Sequence, residues 1–230
     1  YVLCYNCYFM KKILAICSSP DQGGLELYFI SLVNYFSDKG NMYSATRGNS
    51  FISDKVKTNN VSIKKNNFIN IFNNVKKILD FIEENDIDVV HVSWTKDLLL
   101  SALIKKFSTR NLKIIYYRQM KLTRKKNDFY HQFIYNKIDH VLAITKKLSL
   151  ECNKYLPLKS NQIDVLKYGV KKFDNDIFSK EKVYARFSLD KSKFTIGVFS
   201  RIEEQKGQHL LIEAMNLLFE KNIQLVIVGH

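Results

Sequence analysis

Residues 13–39 read ILAICSSPDQGGLELYFISLVNYFSDK and combine a short apolar run, a glycine pair and a helical pattern. The apolar run, Ile13–Cys17, predicts a buried β-strand. Gly23 and Gly24 then break the chain, and the apolar residues of the segment 25–39 recur at helical spacing, which predicts an amphipathic helix. Gly40 directly follows and predicts its end. A strand, a turn and a helix in this order form the first half of a βαβ unit, which builds a parallel sheet.

The same alternation continues along the chain. Further strands are predicted at residues 42–46, 61–63, 88–93, 113–117, 140–145 and 163–166, and helices at 66–84, 98–107, 129–138 and 146–155. The helix at 66–84 is expected to bury a face that includes Ile69 and Phe72. Strands that alternate with helices predict an α/β fold, with a parallel sheet covered on both faces.

A second unit begins after a polar stretch. Residues 1–9 precede Met10, which looks like a natural start, so we expect them to be an extra N-terminal segment. Residues 10–170 form the predicted first Rossmann-like domain, and 171–193 a linker with a short helix. Residues 194–230 then show a strand, a helix and a strand, the first βαβ unit of a second Rossmann-like domain. Since they end directly after a strand, we expect that domain to be truncated.

Composition excludes several classes of protein. With 46% hydrophobic and 25% charged residues, the chain is typical of a folded protein and not of a disordered one. Its longest apolar run, residues 28–36, is shorter than the roughly 18–20 residues that a membrane span needs. Four cysteines, among them the isolated pair Cys4 and Cys7, predict neither a disulfide framework nor a zinc site. The net charge of +14 favours a polyanionic partner: nucleic acid, anionic lipid or a phosphorylated small molecule.

Candidate site residues follow the predicted strands, because ligands of open parallel sheets bind beyond the carboxyl ends of the strands. Gly23 and Gly24 lie between the first strand and its helix, where glycine lets backbone N–H groups approach an anion. An ordinary tight turn is the alternative. Glu26 lies in the first helical turn, where the helix dipole alone explains a carboxylate. Arg201 and Lys206 follow the strand at 194–200 and suit a diphosphate, unless they are solvated charges neutralised by neighbouring glutamates.

Weaker candidates lie elsewhere at the same predicted edge. Arg118 and His131 are candidate cleft residues, and His91 lies inside a predicted strand, where histidines are more often simply buried. Trp94 is either on the acceptor side or in the core. The basic run at 121–126, KLTRKK, is either a solvated loop or a surface for phosphate groups or anionic lipid.

Two regions together resemble one enzyme family. Residues 194–218 (FTIGVFSRIEEQKGQHLLIEAMNLL), followed by LVIVG, resemble the start of the C-terminal domain of group 1 (family 4) glycosyltransferases. Residues 10–29 (MKKILAICSSPDQGGLELYF) resemble the first strand, Gly-Gly loop and helix of that family. VLAITKKL and IDVLKYGV, at 141–148 and 163–170, resemble the strands that close its first domain. The resemblance covers residues 10–230.

The resemblance implies a GT-B fold and transfer of a sugar from a nucleotide-sugar donor with retention, without a bound metal or cofactor. Arg201 and Lys206 match the pair that neutralises the leaving diphosphate, and Gly23 and Gly24 match the loop that approaches the donor phosphate or the acceptor. The acceptor is expected to be a glycan or a lipid-linked group in surface polysaccharide or glycolipid biosynthesis, such as lipopolysaccharide or capsule. The expected location is the cytoplasm, with peripheral contact to the inner face of the membrane.

The sequence also departs from the family. Ser200 stands where a glycine usually precedes the arginine, and Tyr117-Arg118-Gln119 stands where many members have a histidine. The family's E-x7-E carboxylate pair is absent, so this chain is expected to be an inactive fragment. One alternative is a non-catalytic basic module for nucleic acid or anionic surfaces, although no nucleic-acid recognition motif is present. Another is an NAD-dependent enzyme, which the lack of a G-x-G-x-x-G loop argues against.

Overall fold

The computed structural model describes residues 11–169, 179–218 and 221–229. The chain divides into two compact units, Tyr1–Gly169 and Val170–His230. The predicted N-terminal segment 1–9 and residues 171–178 of the predicted linker lie outside the described residues. None of the helices in the described ranges is long and apolar enough to cross a membrane.

The first unit is a parallel sheet of seven strands with helices on both faces. The strands are β1 Ile13–Cys17, β2 Met42–Arg47, β3 Asn60–Ile63, β4 Val89–Val92, β5 Lys113–Arg118, β6 His140–Ala143 and β7 Ile163–Val165. The helices are α1 Gly24–Ser37, α2 Ile71–Glu84, α3 Leu98–Phe107, α4 Phe129–Tyr135 and α5 Lys146–Tyr155. The strand order is β3-β2-β1-β4-β5-β6-β7, and every pair is parallel. This confirms the predicted α/β fold.

Alternate residues of β1 enter different hydrophobic cores, as the period of two in a β-strand requires. In β1, Leu14 and Ile16 belong to the larger core, which α2, α3, α4 and α5 complete. Ala15 and Cys17 belong to a smaller core, which α1 completes with Phe29 and other apolar residues. The first strand is therefore buried on both faces.

The strand order reverses direction at β1, which lies between β2 and β4. In an open parallel sheet, such a reversal leaves a crevice beyond the carboxyl ends of the two central strands, where ligands bind. The loops after β1 and β4 therefore flank the predicted position of the site. All loops that follow strands in this unit emerge at the same edge, called the carboxyl edge below.

Helix α2 differs from its prediction. It begins at Ile71 instead of residue 66, and its buried apolar residues are Ile71, Val75, Ile78 and Ile82. Ile69 and Phe72, which the sequence pattern placed in the core, are exposed. The cause is a turn in which the Asn70 N–H donates to the side chain of Asn67, since asparagine side chains compete with the helical hydrogen-bond pattern.

The second unit contains a single parallel strand pair with its crossover helix. Its elements are α6 Lys180–Arg186, β8 Phe194–Phe199, α7 Gln208–Leu217 and β9 Ile223–Val228. Strands β8 and β9 pair from Phe194 with Ile223 to Phe199 with Val228. The predicted βαβ unit is thereby confirmed.

Candidate functional site

Three loops of the carboxyl edge converge on the buried carboxylate of Asp97, in the short turn between β4 and α3. The Ser18 backbone N–H, directly after β1, donates to Asp97 Oδ2 at 2.7 Å, and its hydroxyl donates to Oδ1. From the loop after β3, Asn66 Nδ2 donates to Oδ1 at 2.7 Å. Asp97 therefore fixes the relative positions of the loops after β1, β3 and β4.

The environment of Asp97 changes its acidity. Burial disfavours the charged carboxylate and raises its pKa to about 6, while the hydrogen bonds from Ser18 and Asn66 act in the opposite direction. At neutral pH the group is ionised and accepts hydrogen bonds from two neighbouring loops. The sequence reasoning missed Asp97; the available signal was its position shortly after a predicted strand.

Glu26 holds the glycine loop from the helix side. It is buried, and its Oε1 accepts a hydrogen bond from the Ser19 hydroxyl at 2.5 Å, while its Oε2 accepts one from the Gly23 N–H at 2.9 Å. The helix dipole was the reason that the sequence offered for this carboxylate. The structure adds a second reason, because both oxygens define the shape of the loop between β1 and α1.

The two glycines have different surroundings. Gly23 has φ −94 and ψ −168, an extended conformation that any residue can adopt. A Cβ added there would lie 3.2 Å from Glu26 Oε2, whereas one added to Gly24 would meet no atom of the described residues within 4 Å. The space outside Gly24 is therefore open, at the N-terminus of a 14-residue helix. That geometry suits a ligand group with negative charge.

Arg118 uses its guanidinium inside the fold. Its Nε donates to the Met120 carbonyl at 2.7 Å, and its Nη2 donates to the Lys121 carbonyl at 3.0 Å. Its Nη1 donates to the Tyr116 hydroxyl at 2.7 Å and to Thr95 Oγ1 at 3.1 Å. In this structure the buried Arg118 anchors the loop after β5; its predicted role in a cleft stays a prediction.

The other weak candidates have different surroundings. His91 lies within β4 and stays neutral, because burial lowers its pKa to about 4; its ring centroid lies 6.1 Å from that of Tyr117. His131 Nδ1 lies 2.5 Å from the carboxylate of Asp128, which caps α4. Trp94 packs against the smaller core, which favours the core interpretation of this residue.

A cavity of about 220 Å³ opens beyond β5 and β6. Gln119 and Thr145 line it, together with Lys121 and Lys147. The Nε2 atom of Gln119 is buried and has no hydrogen-bond partner among the described residues, while its Oε1 accepts a hydrogen bond from Tyr168. Both polar residues follow strand ends, the only sequence signal that could have identified them.

In the second unit, Arg201 and Lys206 lie in the loop between β8 and α7, as predicted. Both side chains are exposed, and Arg201 Nη1 lies 2.7 Å from Glu203 Oε1. This ion pair matches part of the alternative in which the neighbouring glutamates neutralise the two cations. An exposed pair of this kind contributes only about 0–1 kcal/mol, so a competing anion can replace Glu203 at little cost.

Gln208 and two glycines shape that loop. Gln208 is buried, and its Nε2 donates to Ser200 Oγ at 2.8 Å and to the Arg201 carbonyl at 2.7 Å. Gly207 has φ +72, which favours glycine, and begins α7. A Cβ on Gly229 would lie 2.0 Å from the Ser200 carbonyl oxygen. The sequence reasoning missed Gln208, whose position at a helix start gave no sign of these contacts.

Among the described residues, His, Cys, Asp and Glu side chains form no group of three or more that could hold a metal ion.

Several solved structures with similar folds are glycosyltransferases. A glycosyltransferase from Rickettsia africae ESF-5 superimposes with a TM-score of 0.83 at 23% identity, over 96% of this chain and 61% of its own. HepE from Anabaena, solved with UDP and glucose, has a TM-score of 0.73 at 18% identity, over 95% of this chain and 61% of its own. This chain therefore spans about three fifths of their length.

Sequence similarity to curated proteins is local. Glycogen synthase from Clostridium novyi (strain NT) is 38% identical over 65 residues, which are 27% of this chain and 14% of that enzyme. No protein-family model matches the chain. At these identities the solved structures establish the fold: the chain is an α/β protein whose architecture matches that of GT-B glycosyltransferases.

Proposed function

We propose that the protein is a glycosyltransferase that moves a sugar from a nucleotide-sugar donor to a glycan or lipid-linked acceptor. The observation that carries the proposal is the loop at 200–207: two exposed cations and a helix N-terminus follow a strand of a fold shared with glycosyltransferases. A diphosphate leaving group develops negative charge as the sugar departs, and positive groups placed at that position stabilise the transition state.

The two cations have different parts in this proposal. Arg201 offers a planar fork of N–H donors that can bind two phosphate oxygens once the phosphate displaces Glu203 from its ion pair with Arg201. Lys206 offers a movable ammonium close to the start of α7. Gln208 positions the pair indirectly, since it hydrogen-bonds the Arg201 carbonyl and thereby fixes where the backbone leaves β8.

The glycine loop of the first unit binds the donor phosphate or the acceptor in this proposal. The open space outside Gly24 admits the ligand, and the N-terminus of α1 favours its negative charge. Glu26 and Asp97 do not need to touch the ligand. They hold Ser18, Ser19 and Gly23 in place, so the loop is formed before the ligand arrives.

Several finer features of the proposal rest on the family resemblance. The transfer retains the configuration of the sugar, needs no bound metal, and serves surface polysaccharide or glycolipid assembly. The enzyme acts in the cytoplasm, with peripheral contact to the membrane. HepE, one of the structures with a similar fold, was also solved with UDP-glucose, which suggests that donor as the first one to try.

The test is turnover of a donor panel by the purified protein at its full natural length, since this chain spans about three fifths of the similar structures. Release of UDP from UDP-glucose, UDP-galactose and UDP-N-acetylglucosamine, in the presence of bacterial glycolipid extracts, should identify one active donor. Arg201→Ala and Lys206→Ala should each lower kcat by about 100-fold, the usual effect of removing one transition-state donor. Lys193→Ala, which removes a lysine before β8, is the matched control. Unchanged rates in both variants would contradict the roles proposed for Arg201 and Lys206.

A further inference from the structure

Three large apolar side chains project from the carboxyl edge of the first unit. Phe68, Ile69 and Phe72 have exposed fractions of 88%, 80% and 57%. They lie around the start of α2, directly after the loop that follows β3. Water solvates such groups poorly, so an adjacent group of them indicates a surface with a partner.

The charged residues that flank these side chains in the sequence are all basic. No Asp or Glu occurs between Asp54 and Asp80, while this stretch contains several lysines. Lys64, Lys65 and Lys76 are exposed there. We call the exposed residues Lys64, Lys65, Phe68, Ile69, Phe72 and Lys76 the α2 apex. The far end of α2 carries Asp80, Glu83 and Glu84 instead, so the charge of the helix changes from basic to acidic along its length.

The α2 apex is held in shape from within. Asn66 donates to the buried Asp97, and Asn74 Nδ2 in turn donates to Asn66 Oδ1 at 2.8 Å. Asn70 Nδ2 donates to the Lys65 carbonyl at 3.2 Å. The three apolar side chains are therefore presented by a hydrogen-bonded turn that is tied to the core, which lowers the entropic cost of binding.

A second patch of similar composition lies at the same edge. Phe129 is 89% exposed at the start of α4, and Met120 and Tyr130 are also exposed. The basic loop between them exposes Lys121, Arg124 and Lys125. Four strand spacings separate β3 from β5, a distance of about 19 Å at about 4.8 Å for each spacing. A flat partner can therefore contact both patches.

We propose that the α2 apex docks the protein on a lipid surface that carries anionic headgroups. Phe68, Ile69 and Phe72 would enter the boundary between headgroups and acyl chains, while the lysines remain at headgroup level and pair with phosphates. The uniform positive charge is what favours lipid over a protein partner. This inference rests on the proposed peripheral membrane contact and assigns it to particular residues. It also places the carboxyl edge, with its candidate site, next to the membrane.

Vesicle flotation tests the inference. The purified protein should float with vesicles of 30% phosphatidylglycerol in phosphatidylcholine, and bind pure phosphatidylcholine at least tenfold less. The triple variant Phe68→Ser, Ile69→Ser, Phe72→Ser should lower the partition coefficient at least tenfold. The double variant Lys64→Gln, Lys65→Gln should lower the partition coefficient severalfold and weaken its dependence on salt concentration. Circular dichroism should remain that of the parent, since all five side chains are exposed.

Matched controls lie at the opposite edge of the sheet. Phe107 is 49% exposed at the end of α3, with Lys106 Nζ 5.5 Å from its ring centroid. The two residues therefore combine an exposed aromatic ring with a lysine, as the α2 apex does, but they lie away from the proposed membrane-facing edge. Phe107→Ser, and Lys39→Gln with Lys106→Gln, should leave flotation unchanged. Equal losses in the controls, or normal flotation of the triple variant, would overturn the inference.

Two further readouts separate this inference from the proposed function. Sedimentation without vesicles should show no self-association through the α2 apex; a dimer that the triple variant abolishes would assign the surface to a second copy and overturn lipid docking. Donor turnover with a water-soluble acceptor should be the same in the triple variant as in the parent. If the triple variant no longer floats but retains its turnover, the inference is supported. If neither the parent nor the triple variant shows turnover, only the proposed function is contradicted.

Discussion

The loop after β1 and the loop after β8 occupy equivalent positions in the two units, yet they are built in opposite ways. The first contains no cation, and two buried carboxylates, Glu26 and Asp97, hold it. The second exposes two cations and is held by one neutral side chain, Gln208. A buried carboxylate gives rigidity because it saturates backbone N–H donors, whereas an exposed cation remains free to exchange one anion for another.

The difference suits the two loops to different chemistry. Backbone donors shaped by buried acids suit a group that must be placed accurately, such as a sugar or a phosphate ester. Side-chain cations suit a group whose charge grows during the reaction. Three predictions address this division.

The largest expected effect on the free energy of unfolding comes from the substitution Asp97→Asn. Asparagine offers one acceptor oxygen, and its amide would face buried N–H donors that the carboxylate now satisfies. We expect the first unit to lose about 4 kcal/mol of its free energy of unfolding at pH 7, roughly 1–3 kcal/mol for each unsatisfied donor. Urea denaturation can be followed by the fluorescence of Trp94, the only tryptophan, which lies close to this network.

The matched change in the second unit is Glu203→Gln. It removes the exposed ion-pair partner of Arg201 and should change the free energy of unfolding by less than about 1 kcal/mol. If Asp97→Asn were equally mild, the loop after β1 would not depend on its buried acid, and the contrast between the two loops would disappear.

The next effect concerns pH. The pKa of Asp97 rises to about 6 on folding, so the folded state binds the proton more tightly and stability is lost as pH increases from about 4 to about 6. The pKa of His91 falls to about 4, so stability is present above about 6.5 and is lost as pH decreases towards 4. Each change amounts to about 3 kcal/mol, at about 1.36 kcal/mol for each pKa unit.

Variants separate these opposite slopes. The difference in free energy of unfolding between the parent and Asp97→Asn should shrink as pH rises from 4 to 6.5, and the difference between the parent and His91→Gln should grow. Denaturation curves at four pH values measure both. Parallel pH profiles for the parent and both variants would contradict the assigned burial of these two groups.

The smallest effect on stability is expected for Gly24→Ala. A methyl group there meets nothing within 4 Å, and alanine favours a helix, so stability should change by less than about 1 kcal/mol. The same methyl group would intrude on the space where the ligand is proposed to bind, and KM for the donor or the acceptor should rise about tenfold. Unchanged KM for both substrates would remove this loop from the site.

Much of the fold was accessible from local patterns. Strand β1, helix α3 from Leu98 to Phe107 and helix α5 from Lys146 to Tyr155 have the predicted bounds, because their apolar periodicity has a single interpretation. Helix α2 shows the limit of that reasoning. Ile69 and Phe72 fit a helical stripe in the sequence, but a turn stabilised by asparagines shifts the helix start, and the stripe that enters the core begins at Ile71 instead.

The candidate site was accessible only in part. The positions of Gly23, Gly24, Arg201 and Lys206 after strands were predicted, while their roles stay predictions. Arg118 is a candidate because it lies beside the position where many members of the resembled family have a histidine. Its hydrogen bonds to the carbonyls of Met120 and Lys121 could not be predicted, because backbone acceptors leave no trace in sequence.

Sequence patterns a few residues long predict the order of helices and strands, the parallel sheet and the loops that contain the candidate residues. The sequence alone is sufficient to predict these features. The convergence on Asp97 does not follow from such patterns. Its partners Ser18 and Asn66 are 79 and 31 residues away along the chain, and nothing in their local sequence marks one as the partner of another. Hydrogen bonds at that separation depend on how the strands are ordered in the sheet, so they exist only once the chain has folded.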